Sequence, residues 1–161
     1  MNNRYAGFGL LAAAVIFAGC ATVPQRTAPD VSLRSTTSPD DDAKAVQGHW
    51  KPAKAEFAGQ PMTDAVLKSI SLRLDNGQYE VFVADEPDRG TYTLDIATTP
   101  RGMTITGTAG PNSGKTFPAI YELKGNMLRI CYDLSGAKRP TEFRSLAGTR
   151  LYLVTYNRTG E

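Results

Sequence analysis

Ile70-Ser71-Leu72-Arg73-Leu74-Asp75-Asn76-Gly77-Gln78-Tyr79-Glu80-Val81-Phe82-Val83 decides the fold class. Ile70, Leu72 and Leu74 fall at every second position, with polar Ser71 and Arg73 between them, the pattern of a strand that buries one face. Asn76-Gly77 then supplies the strongest short hairpin signal, because both residues accept the positive φ that a type I′ turn demands. Tyr79, Val81 and Val83 form the inward face of the returning strand. One β-hairpin is therefore written into fourteen consecutive residues.

Working outward, the same period of two recurs. Tyr92, Leu94 and Ile96 alternate with Thr91, Thr93 and Asp95, and Met103 and Ile105 alternate with Thr104 and Thr106. Phe117 to Leu123 and Met127 to Asp133 flank a Gly125-Asn126 turn, Leu151 to Asn157 closes the series, and His49 to Phe57 opens it. That makes eight strands. The one helix expected is Met62 to Ser69, after Pro61 and with Thr63 as a start signal, placed to cover one mouth of a barrel. Eight short strands joined mainly by tight turns predict an all-β, antiparallel, up-and-down barrel, since closure removes exposed edges. Such an interior is just wide enough to be filled by side chains or to hold one small ligand.

Upstream of the barrel the chain changes character twice. Arg4 precedes an apolar run from Phe8 to Phe17, about the length of a signal-peptide core and too short for a membrane-spanning helix. The run ends in Phe17-Ala18-Gly19-Cys20, which resembles the bacterial lipobox, with phenylalanine where leucine is usual. The resemblance implies cleavage after residue 19, lipidation of Cys20 and permanent attachment to a membrane, because several acyl chains anchor where one is marginal. Ala21 after the cysteine implies the outer membrane, facing the periplasm. Residues 20–45 are rich in Thr, Ser, Pro and Asp and poor in large apolar groups, so they read as a flexible linker that includes Asp40-Asp41-Asp42. The folded domain is then expected over 46–161.

Composition narrows the function. Lys and Arg total 18 against 16 Asp and Glu, with no basic cluster, which argues against nucleic acid. With Cys20 lipidated, Cys131 has no partner for a disulfide and is expected to be a buried core residue. Ala109-Gly110-Pro111-Asn112-Ser113-Gly114-Lys115-Thr116 satisfies a permissive P-loop pattern, but Phe117-Pro118 opens a strand where a phosphate site needs a helix. It reads as a hairpin loop. His49 is the single histidine, so no histidine-based triad or metal cluster is expected. Asp85, Glu86 and Asp88 share a loop and read as solvated charges. No catalytic residue, metal or cofactor is assigned, and the chain is expected not to be an enzyme.

Gly48-His49-Trp50 opening the first strand resembles the Gly-x-Trp signature of lipocalins. There the tryptophan closes the barrel floor and an arginine from the last strand packs over it. Arg158 is placed to do so on Trp50. Gln47-Gly48-His49-Trp50, Ile120-Tyr121-Glu122-Leu123, Leu128-Arg129-Ile130-Cys131 and Arg139-Pro140-Thr141-Glu142-Phe143 together resemble an uncharacterised bacterial lipocalin-like domain family of small exported or envelope proteins. The resemblance implies fold and compartment, and no activity.

Six residues are candidates for ligand contact. Tyr79, Tyr92, Phe117 and Tyr121 should share the inward face, lining a pocket if the barrel is hollow and forming the core if it is filled. Arg139 and Phe143, in the segment before the last strand, suit a portal in which the arginine meets an acidic headgroup; alternatively Arg139 pairs with a carboxylate and Phe143 plugs one end. A domain of about 115 residues argues for a small cavity or none. Two functions follow: a carrier or sensor of a small hydrophobic or amphipathic ligand, or a protein-interaction module, an inhibitor or assembly factor, with a solid core.

Overall fold

The computed structural model describes Pro39 to Gly160; the expected signal peptide (1–19), Cys20 and residues 21–38 of the expected linker lie outside the described residues. In chain order the elements are α1 (Pro39–Ala45), β1 (Gly48–Phe57), β2 (Gln60–Pro61), α2 (Asp64–Ser69), β3 (Ile70–Asp75), β4 (Gln78–Val83), β5 (Glu86–Asp95), β6 (Arg101–Ala109), β7 (Thr116–Lys124), β8 (Met127–Asp133) and β9 (Leu151–Thr159). From β3 to β9 each strand pairs antiparallel with the next, and β1 pairs with both β3 and β9. The result is a closed eight-stranded up-and-down barrel. β2 is an extra strand, paired only to β1.

The hairpin that opened the sequence reading joins β3 to β4, with Leu74 opposite Tyr79 and Asp75 opposite Gln78. Asn76 and Gly77 both take positive φ, at 46° and 78°, so the turn twists with its strands. Side chains at even positions of β3, β5, β8 and β9 and at odd positions of β4 point inward, where Leu72, Leu74, Tyr79, Tyr92, Leu128, Ile130, Val154 and Tyr156 are buried.

β1 departs from this regularity. Its register against β9 shifts between Pro52 and Lys54, a bulge at a residue that has no backbone N–H to give to a ladder. Beyond the bulge the inward parity moves from Trp50 to Ala55, both buried. β1 meets β3 only over Gly48 to Trp50, whereas it follows β9 from His49 to Phe57. The wedge left between β1 and β3 is filled by β2 and α2, which buries Leu67. The expected helix is thus present, starting two residues later than Met62, and it sits at the open end of the barrel.

The opposite end is closed by α1, and here the sequence reading needs correction. Residues Pro39–Ala45 are helical and belong to the barrel domain; they are not linker. Asp42 is 2% exposed. Its carboxylate accepts hydrogen bonds from both the Arg101 guanidinium (2.7 and 2.5 Å) and the Tyr121 hydroxyl (2.5 Å). A carboxylate sharing a helix with Pro39, Asp40 and Asp41 looks solvated in sequence, yet long-range partners on β6 and β7 hold it inside. Trp50 completes this floor. Its Nε1 donates to the Val46 carbonyl (3.0 Å), and the Arg158 guanidinium lies 4.2 Å over its ring. Arg158 also donates to the carbonyls of Ala45 (2.6 Å) and Gln47, tying down the C-terminal end of α1. Gly48 beneath it has φ 128°, a conformation that residues with a side chain rarely adopt, and a Cβ there would also crowd Arg158 Nη1.

The β8–β9 connection, residues 134–150, lies as a strap against the outside of the barrel. Under it Ile120 and Cys131 are buried on the outer faces of β7 and β8, apart from the inner core cluster. Cys131 is therefore buried, as expected, but by the strap; its thiol donates to the Arg144 carbonyl at 3.4 Å.

Candidate functional site

The interior is filled at the floor and hollow towards the mouth. A cavity of about 360 Å³ occupies the mouth half of the barrel. Its wall is apolar, formed by Leu72, Leu74, Val81, Met103, Ile105 and Ile130. Phe57, Met62, Val66, Ile70 and Val83 ring the opening, Met62 and Val66 coming from the segment that fills the wedge. Polar groups on the lining are few: Tyr79, Tyr132, Tyr152, Tyr156, Asp88 and Asn112. An apolar wall with a handful of placed polar groups is the usual construction of a small-molecule site, and the volume lies at the lower end of that range.

Asp88 is the charged member of this set. It sits on the inward face of β5, in step with Gly90 and Tyr92, and is 5% exposed. The Tyr79 hydroxyl donates to its Oδ2 at 3.0 Å, the Asn112 backbone N–H to Oδ1 at 2.9 Å, and Asn112 Nδ2 to Oδ2 at 3.0 Å. Tyr79 reaches it because Gly90, directly opposite on β5, has no side chain; a Cβ there would lie 2.6 Å from the Tyr79 ring. The P-loop-like stretch supplies Asn112. Its loop folds back over the mouth, Lys115 Nζ donates to the Pro111 carbonyl (3.0 Å), and β7 follows at once, so it is the hairpin loop expected.

The tyrosines form a second polar group. Tyr132 and Tyr152 are directly paired across β8 and β9, their rings stacked with centroids 5.8 Å apart, and the Tyr156 hydroxyl lies close to both of theirs. Burial is the main cause that holds all of these hydroxyls protonated. It pushes Tyr152 up to about 12 and Tyr132 and Tyr156 higher still. Burial also raises Tyr79, reinforced by the hydrogen bond to Asp88 and by that carboxylate's charge. The cavity thus presents neutral hydroxyls and one carboxylate, and no lysine or arginine among the described residues lines it.

Of the six residues the sequence put forward, Tyr79 and Phe117 line the cavity. Tyr92 and Tyr121 face inward but are buried in the filled half, Tyr121 bonded to Asp42 in the floor. Arg139 is neither a portal residue nor a carboxylate partner. It crosses the outer face of β6 and β7, donating to the carbonyls of Met103 (3.0 Å) and Ala119 (2.6 Å) and to Thr104 Oγ1 (3.1 Å). Phe143 is outside as well, with the Arg129 guanidinium 4.3 Å over its ring. Both belong to the strap, which the sequence could not place because a long connection carries no period. His49 is exposed on β1.

The sequence reading missed Asp88, Asn112, Tyr132, Tyr152 and Tyr156. Parity alone carried a signal for Asp88: extending the Tyr92–Leu94 alternation backwards through Gly90 puts residue 88 inside. The exposed large hydrophobics among the described residues are Phe57, Val66, Val83 and Leu146. The first three belong to the mouth, and Leu146 lies beside the β1–β2 turn, where Gly59 N–H donates to Ser145 Oγ at 2.9 Å. No protein family, curated protein or solved structure matches the chain.

Proposed function

We propose that the barrel binds one small hydrophobic or amphipathic molecule in its mouth-half cavity, as a carrier or sensor attached to the cell envelope. The single observation that supports this most is the cavity, about 360 Å³ of apolar-walled space in a barrel short enough to have been solid. The apolar rim of Phe57, Val66 and Val83 offers an incoming apolar molecule a surface before it reaches the wall. Lipidation of Cys20 fixes the chain to the outer membrane on its periplasmic side, close to a source of such molecules. The Gly48-x-Trp50 floor with Arg158 stacked on it is in keeping with the lipocalin-like resemblance. The activity is binding without catalysis: Asp88 already accepts three hydrogen bonds, and His49 lies outside the cavity.

The test is native mass spectrometry of the protein released gently from its own envelope, together with titration of the neutral apolar dye N-phenyl-1-naphthylamine. A Val81→Trp variant fills the cavity from the middle of β4; Tyr121 is unsuitable because its substitution would break the floor. A one-to-one ligand or dye complex that Val81→Trp abolishes supports the reading. A clean apo mass with no dye binding refutes it and leaves the rim as a protein-docking surface.

A further inference from the structure

We infer that the cavity selects its ligand by headgroup charge, accepting neutral or cationic polar ends, such as alcohols and amines, and rejecting carboxylates and other anions. The inference rests on the ligand-binding reading and deepens it. Its basis is the charge of the lining, where Asp88 faces the cavity with no lysine or arginine beside it. The Asp88 oxygens accept from Tyr79 and Asn112, which fixes the carboxylate in position and spreads its charge without neutralising it. A second anion brought into this largely buried corner would meet a like charge at low effective dielectric, with only tyrosine hydroxyls and the Asn112 amide to solvate it. A hydroxyl or ammonium group instead donates to the carboxylate's remaining lone-pair capacity.

Position points the same way. Asp88 and Asn112 lie at the mouth end, where β5 begins and the β6–β7 loop folds back, while Leu74 and Met103 lie towards the floor. A bound molecule therefore places its apolar tail inward and its polar end at Asp88, which is 5% exposed and so largely shielded from water. At about 30 Å³ per water-sized group, the space inside the wall holds on the order of a dozen non-hydrogen atoms, and a bulkier molecule such as N-phenyl-1-naphthylamine extends into the open mouth. A ten-carbon chain with one headgroup matches that size.

Decan-1-ol, decylamine and decanoate share a tail and differ only in the headgroup. Competition of each against N-phenyl-1-naphthylamine is measured on the full chain at pH 7.5, with Val81→Trp as the blank for partition outside the cavity. The alcohol and the amine are expected to displace the dye at least tenfold more tightly than decanoate. Asp88→Asn should narrow the gap between amine and decanoate to less than threefold. Decanoate binding as tightly as decanol in the unaltered protein overturns the inference, whether or not the variant folds, and leaves the ligand-binding reading standing. Failure of the dye and of all three compounds to bind overturns both.

Discussion

Replacing Asp42 by alanine tests whether α1 is part of the barrel or the end of a tether. In the structure the Asp42 carboxylate accepts from Arg101 and from the Tyr121 hydroxyl, and hydrogen bonds to a charged group contribute about 1.5–3 kcal/mol. The two donors fare differently once it is gone. The Arg101 side chain is 35% exposed and regains water, so its share is small. Tyr121 is 1% exposed, and its stranded hydroxyl costs about 1–3 kcal/mol more. Together these give a loss of about 3 kcal/mol. Tyr121→Phe keeps the Asp42–Arg101 pair and should cost about 1.5–2 kcal/mol. In the double variant the hydroxyl is no longer stranded, so the two losses should fall short of adding by about 1–2 kcal/mol. Trp50, the single tryptophan, sits in the same floor and reports unfolding by fluorescence. With a urea m-value of about 1.5 kcal/mol/M, Asp42→Ala should move the midpoint down by about 2 M. A shift corresponding to less than about 0.5 kcal/mol, or strict additivity, would refute the reasoning and return residues 39–45 to the linker.

The strap and its anchors make further expectations. Arg139→Ala removes three hydrogen bonds between the strap and the outer wall, so it should loosen the cover over Cys131 while leaving dye affinity within about twofold. In a Cys20→Ser background the native Cys131 thiol, pushed up by burial, should not react with a disulfide reagent at pH 8, and Arg139→Ala should accelerate labelling at least tenfold. Asp133 ends β8 immediately before the strap, and burial alone would raise its carboxyl. The Ser135 hydroxyl and the backbone N–H groups of Lys138, Ser135 and Ala137 outweigh burial and leave it below the ordinary range. A depressed carboxyl stabilises the fold in full above the unfolded value of about 3.9 and loses that contribution as pH falls through the folded one. Asp133→Asn should therefore destabilise by about 1–2 kcal/mol at pH 7, and by progressively less as urea titrations move towards pH 3.

Period two was enough to read the barrel because most strands are buried on one face only. The β3–β4 hairpin shows this best: every apolar residue but Phe82 is on the inward face, and the turn chemistry is local. The reading lost resolution where a second layer covers the sheet. Ile130-Cys131-Tyr132 and Leu151-Tyr152-Leu153-Val154 are apolar on both parities, since the strap buries the outer face as the cavity does the inner one. The tyrosines at 132 and 152 were hidden in those runs. Asp88 was missed for a different reason. Glu86-Pro87-Asp88 has the composition of a loop, and only partners far away in sequence, Asn112 among them, make a buried carboxylate tolerable there. Asp42 is the same case at the other end. Buried charges that rely on distant donors leave little local trace, and both lie at the ends of the barrel, where the floor and the mouth are built.

The cavity itself traces to one irregularity in β1. An eight-stranded barrel this size has little spare interior, and the floor half, where β1 pairs with both neighbours, has none. Space appears only beyond Trp50, where the Pro52–Lys54 bulge turns β1 away from β3 and α2 enters the wedge. Ala53 is the surplus residue, exposed and without a partner on β9. Deleting it leaves Pro52 opposite Tyr156 and Lys54 opposite Thr155 with no break, so no side chain changes face. β1 is then free to continue along β3 and close the wedge. Dye binding should fall at least tenfold, while the Trp50 fluorescence and the cooperative urea transition persist, because the Asp42, Trp50 and Arg158 contacts lie on the far side of the bulge. Full dye affinity in a folded deletion variant would separate the bulge from the cavity and place the origin of the space in α2 alone.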